Sequence, residues 1–293
     1  AALTAGDNNV AVGFAAMTSL TTGYSNAAVG ANALDSLTTG HSCTGVGHNA
    51  LAGVTTANHN VAVGLNAGVA ITTGNGNTAI GSNTMNSGTT AANNTVVGTH
   101  SATSMTTALG NTIIGTVSGI ALTEGQYNNT LGYASGYAIT TGIHNECIGA
   151  SAGLAITTGG KNIAIGKNAL AGATTVSNQI AIGYEALKVQ SSNGENTVVG
   201  YQAGLTVTSG AGNDLYGYQS GDKITTGYSN CIIGGFSMDS GANKTGYNNV
   251  SIGQSAMRNM TSGHSNTGAG VRNLVDNTTG ILNTALGYEA LTN

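Results

Sequence analysis

A glycine that follows an apolar residue, usually Val or Ile, returns every seventeen residues along this 293-residue chain. It stands at Gly13, Gly30, Gly47, Gly64, Gly81, Gly98, Gly115, Gly132, Gly149, Gly166, Gly183, Gly200, Gly217 and Gly234. The next step is nineteen residues, to Gly253, after which Gly270 and Gly287 resume the period. A fixed short period is the signature of a repeat array, in which each unit buries its apolar face only against its neighbours. Helical-hairpin repeats need more than about thirty residues per unit, so this period excludes them. Gly, Thr and Asn, which dominate the unit, are also poor helix formers.

Columns counted from the anchor glycine define a unit close to N-x-A-V-G-x-N-A-L-x-x-L-T-T-G-x-x. Four residues before the anchor comes Asn, as at Asn9, Asn26, Asn60 and Asn77, with Cys43 and Gln179 as exceptions. Eight after it comes Thr, as at Thr21, Thr38 and Thr72, and seven after it an apolar residue such as Leu20, Leu37 or Ile71. Two short extended pieces with alternating character, separated by glycine-containing bends, are expected in each unit. The fold class that follows is all-β: a parallel β-solenoid, or β-roll, of about seventeen 17-residue coils. It is one array over residues 1–293, with a two-residue insertion within 235–253. Strands stacked about 4.8 Å apart would extend it to roughly 80 Å.

Like residues then stack in ladders. The Asn column can pass amide hydrogen bonds from coil to coil. The anchor glycines Gly13, Gly30, Gly64 and Gly81 mark a positive φ or a close backbone approach. The column four after the anchor alternates between large residues (Leu34, Leu51, Met85) and glycine (Gly68, Gly136, Gly153). It is read as a second packing surface, facing other chains. A coil this small encloses one apolar layer, so association with copies of itself, most simply as a homotrimer, is expected.

Composition closes several functional classes. Charged residues are 6% of the chain, the formal net charge is −4, and Lys and Arg form no cluster. Nothing here would neutralise a phosphate backbone, so nucleic acid is not an expected partner. No apolar run approaches the roughly 20 residues of a membrane span. Cys43, Cys147 and Cys231 fall in different columns many coils apart, which excludes disulfides between them. His41 and His59 lie on adjacent coils and can meet at one bend, without a carboxylate beside them. Carboxylates form no pair in matching columns, and no phosphate-loop motif is present. Neither an enzyme nor a cofactor or metal site is expected.

Two ladders are candidate contact surfaces. Tyr184, Tyr201 and Tyr218 follow the anchor glycine on three consecutive coils. They could contact a glycan, or simply stack on one another. The paired Thr columns raise ice binding as a remote alternative, but adjacent residues point to opposite sides, so no regular threonine face is expected from them. Both chain ends fall in mid-coil at nearly the same phase. Two explanations fit: an excerpt of a longer fibre, or subunits stacking end to end.

The segments Asn60-Val61-Ala62-Val63-Gly64-Leu65-Asn66-Ala67 and Asn162-Ile163-Ala164-Ile165-Gly166-Lys167-Asn168-Ala169 resemble the head repeat of YadA-like trimeric autotransporter adhesins. That resemblance implies a left-handed parallel β-roll, three chains side by side, and binding to host surfaces. The T-T-G-x-x-N linkers, with Tyr201-Gln202-Ala203-Gly204 and Tyr218-Gln219-Ser220-Gly221, are similar to repeats of phage tail-fibre proteins. Together they imply a fibre shaft or adhesin on a virion or outside the cell, with a host-surface glycan or protein as a possible receptor.

Overall fold

The structure, a computed structural model, describes residues 5–192, 194–241 and 243–292. It is a parallel β-solenoid of about sixteen turns, with no helix among the described residues. By backbone contacts the chain forms two compact units, Ala1–His144 and Asn145–Asn293. Both are built from the same coil. In the first, strand Val10–Val12 pairs in parallel with Ala27–Val29, Val10 facing Ala27. In the second, Ile163–Ile165 pairs in the same way with Ile180–Ile182.

Each coil carries one strand of three residues rather than the two extended pieces expected. The rest of the coil is a run of turns. Residues two and four after the anchor are left-handed, as at Asn32 (φ 55°) and Leu34 (φ 53°). The turns reverse the direction of successive peptide groups. Asn32 N–H therefore donates back to Phe14 C=O at 2.8 Å, while Leu34 N–H donates forward to Ala50 C=O at 3.0 Å. A left-handed non-glycine residue costs about 1–2 kcal/mol, and each of these is held by a hydrogen bond to a neighbouring coil. Asn, common at the first of the two positions, tolerates this conformation better than most residues.

The anchor position is stricter. Gly13 and Gly30 both have φ +137°, and a Cβ on Gly13 would lie 2.5 Å from the carbonyl oxygen of Gly30. Consecutive coils touch there backbone to backbone, and no side chain fits between them.

The interior is thin. The central residue of each strand points in, so Ala28, Ala62, Ala164 and Ile113 are fully buried. Opposite them lie the apolar residues seven after the anchor (Leu37, Ile71, Ile156) and those four after it (Leu34, Leu51, Met85, Leu170), also fully buried. This corrects the reading of the fourth-position column as a surface for other chains. Its size alternation is internal bookkeeping of volume. Leu34 packs against Gly45, whose Cβ would sit 3.3 Å from Leu34 Cγ. Gly153 leaves room for Cys147 and Ile156.

Along the interior edge runs the asparagine ladder. Asn9 Oδ1 accepts from the backbone N–H of Asn26 at 3.0 Å and from its Nδ2 at 3.1 Å. Asn26 Nδ2 also donates to Gly40 C=O at 2.9 Å. The pattern repeats at Asn77, whose N–H and Nδ2 both donate to Asn60 Oδ1. Gln179 preserves it, its Oε1 accepting from Asn196 N–H at 3.1 Å. Cys43 takes the hydrogen bond from below, its N–H donating to Asn26 Oδ1, while its thiol donates to Ala57 C=O at 3.3 Å. A second ladder carries the threonines: Thr21, Thr38 and Thr72 each donate Oγ1–H to the carbonyl of the Thr one coil on. Buried polar groups without partners are costly, and these ladders satisfy theirs by translation from coil to coil.

Candidate functional site

With the interior closed, any contact with a partner falls to the outward columns, which differ sharply in character. On the outer face of the strands, the residue just before the anchor is exposed on many coils and half-buried on others, such as Val97, Ile114, Ile165, Ile182 and Val199. Val29, Val46, Val63 and Ile80 in the first unit, and Ile148, Ile233 and Ile252 in the second, are each 36–41% accessible. Their exposure comes from the strand's alternation. The small central residue faces in and the larger one faces out. Two residues earlier on the same face stand Thr44, Thr78, Thr95 and Thr112. Three of these, Thr78, Thr95 and Thr112, form a short row on consecutive coils of the sheet, away from the paired threonines.

Tyr184, Tyr201 and Tyr218 are brought together as the column spacing requires. Their ring centroids are 5.2 and 5.0 Å apart, with planes within 11° of parallel. Phe236 closes the row edge-on against Tyr218 at 5.1 Å. The stacked rings occupy one another's faces and leave edges and hydroxyls to solvent. Beside them, Gln219 donates to Gln202 and Gln202 to Glu185, both at 3.0 Å. With Lys188 also bonded to Glu185 at 2.7 Å, these contacts lower the Glu185 pKa. In the first unit the same column holds Asn32, Asn49, Asn66 and Asn83, linked by side-chain hydrogen bonds of 3.0–3.1 Å. The N-A step of the repeat was the signal for this outer amide ladder.

A second aromatic stack, Tyr228, Tyr247 and His264, escaped sequence reading. Its centroids are 4.7 and 4.5 Å apart and its planes within 8°. The nineteen-residue step hides the register, placing Tyr247 two residues late. The column continues towards the N-terminus as Ala211, Gly194 and Ser177, which leave a groove of about 480 Å³. Ser177, Asn178, Glu195, Gly212 and Ser229 line it with Gly194 and Ala211, and Tyr228 stands at one end. Elsewhere in this column of the first unit, Tyr24 stacks on His41 at 4.6 Å, and His41 meets His59 of the neighbouring column edge-on at 5.0 Å.

In the insertion Gly241 and Asn243 are exposed, but its decisive residue points inward. Lys244 takes the place of the ladder threonine, accepting from Thr225 N–H at 3.0 Å. Its side chain is fully buried. The stem occupies the layer where an apolar residue normally stands. The ammonium donates to the carbonyls of Ser240 (2.7 Å), Arg258 (2.9 Å) and Met260 (2.5 Å). Burial pulls its pKa down to about 8, against the opposing pull of Asp239 and Asp222.

Cys43 and Cys147 are buried, and burial pushes Cys147 up to about 12. Low thiolate character makes them poor nucleophiles. Among the described residues no cluster of His, Cys, Asp and Glu could hold a metal ion, and no helix is long and apolar enough to cross a membrane. Three comparisons with known proteins found nothing: no family model, no curated protein and no solved structure matches the chain.

Proposed function

We propose that the chain is a structural segment of a fibre, the shaft of a phage tail fibre or a similar surface appendage. It associates side by side with copies of itself, most simply as a homotrimer, on a virion or outside the cell. The observation that carries this reading is the exposed aliphatic column on the outer face of the strands. Single exposed apolar residues are ordinary, whereas a contiguous stripe marks an interaction surface. A repeated stripe meets its own copy with every contact repeated along the array, as self-complementary interfaces require. The head of a bacterial trimeric adhesin would use the same face.

Sedimentation velocity tests it. The expected particle has three times the 28.7 kDa mass of the chain. Val46→Lys/Ile80→Lys/Ile233→Lys places three charges on the outer face without touching the interior and is expected to give a folded monomer. A monomeric wild type would overturn the reading. The threonines at 78, 95 and 112, on three consecutive coils of the outer sheet face, favour one second reading: a sheet face that binds ice. Thermal hysteresis in the wild type, lost in Thr95→Lys, would select it.

A further inference from the structure

The groove beside Tyr228 is an interrupted ring stack. Tyr228 gives one face to Tyr247, with the planes 3° apart. Its opposite face is turned to the preceding coil, where Ala211 stands in the ring's column. That face therefore forms an end wall of the 480 Å³ groove. The volume falls within the roughly 300–1,000 Å³ of small-molecule sites. Tyr228 is the one aromatic residue among the described lining residues. Polar groups rim the remainder: Asn178, Glu195 and Ser229 stand in one column, each held left-handed by the coil (φ 58°, 46° and 55°). Ser177 adds a hydroxyl, which also accepts from Gly160 N–H at 3.1 Å.

We propose that this groove binds a neutral saccharide, one pyranose ring lying against the free face of Tyr228 and its hydroxyls meeting Asn178, Glu195 and Ser229. Two features select this occupant. A sugar ring offers an apolar C–H face to the tyrosine and hydroxyls at its edge, matching a site with one apolar wall and a polar rim. Among the described lining residues only Glu195 is charged, so a carboxylated or sulfated sugar would meet like charge within the groove itself. Within the Tyr184–Tyr201–Tyr218 row the rings cover one another, leaving an unstacked ring face at the Tyr184 end. The site is independent of the strand face assigned to self-association, so either assignment can fail without the other.

The experiment is a glycan array probed with the full chain, covering neutral, sialylated and uronate-bearing glycans. Retention of neutral hexose- or N-acetylhexosamine-terminated glycans is expected. Tyr228→Ala should weaken it about tenfold. Ala211→Tyr, which extends the stack into the groove at a column that already accepts Tyr24 and Tyr228, should abolish it. Tyr201→Ala should leave it unchanged. Circular dichroism checks that each variant folds. Retention of acidic glycans alone, no retention at all, or undiminished retention by Ala211→Tyr would overturn the proposal.

Discussion

Two neighbouring coils in the Asn145–Asn293 unit fill the same interior slot with opposite chemistry. The coil that starts at Gly217 buries Ile224 there; the coil that starts at Gly234, two residues longer, leaves Gly241 and Asn243 outside and buries Lys244. The strands on either side do not register the change. Cys231 still faces Val250, and Asn249 N–H still donates to Asn230 Oδ1 at 3.0 Å. The solenoid thus tolerates altered length where the coil is a turn facing solvent. It is intolerant where backbones or amides of adjacent coils meet.

The sharpest way to break that comparison is at the amide ladder. Asn213 donates N–H and Nδ2 to Asn196 Oδ1 and Nδ2 again to Gly227 C=O, while its Oδ1 accepts two hydrogen bonds from Asn230. Asn213→Ala strands several buried groups at once and is expected to cost about 3–5 kcal/mol. Asn213→Gln, the substitution the chain itself carries at Gln179, should cost less than half of that. Urea denaturation of both variants, followed by circular dichroism, measures the difference.

The glycines give the next largest contrast. A Cβ on Gly217 would lie 2.8 Å from the carbonyl carbon of Gly234, at φ +134°, whereas one on Gly241 meets nothing within 4 Å, at φ +84°. Gly217→Ala is expected to cost about 3 kcal/mol, and Gly241→Ala about 1 kcal/mol from its backbone conformation alone. Equal losses in the same denaturation series would show that the insertion is as constrained as a regular coil.

Lys244→Met tests the slot itself. The stem is matched in shape, but three carbonyls lose their donor, for an expected loss of about 1–3 kcal/mol at pH 7. The pH dependence has a definite sign. The folded-state pKa of about 8 lies below the ordinary lysine value of 10.5, so between them the unfolded chain holds the extra proton. Stability contributed by this group therefore rises with pH across that window. Cys147, raised to about 12 from 9.0, works in the opposite sense above pH 9. The informative quantity is the difference between wild type and Lys244→Met, which should widen from pH 8 to pH 10.

The seventeen-residue coil and the place of the anchor glycines, asparagines and threonines were legible because each is a single-residue requirement repeated in every turn. The direction of the apolar columns was not. A three-residue strand such as Val61-Ala62-Val63 shows too little alternation to reveal that Ala62 is the buried member. The thin interior also inverts the usual expectation, taking alanine in and leaving valine out. The turns were misjudged for a related reason: left-handed Leu34 and Leu51 carry no local signal, since their conformation is imposed by hydrogen bonds from adjacent coils. Tyr247 and Lys244 were lost to the shifted register of the insertion. The groove depends on what Ala211 and Gly194 lack, which becomes meaningful only once Tyr228 is placed beside them.

The asparagine ladder also has a direction in time. At Asn9 and Asn26, as at Asn60 and Asn77, the earlier residue supplies the oxygen and the later one supplies both hydrogens. During synthesis, a coil leaving the ribosome meets an acceptor already fixed in the coil made before it. Its own oxygen then becomes the landing point for the next. Assembly can follow translation one turn at a time, each newly made seventeen-residue segment templated by its predecessor and none waiting for distant chain.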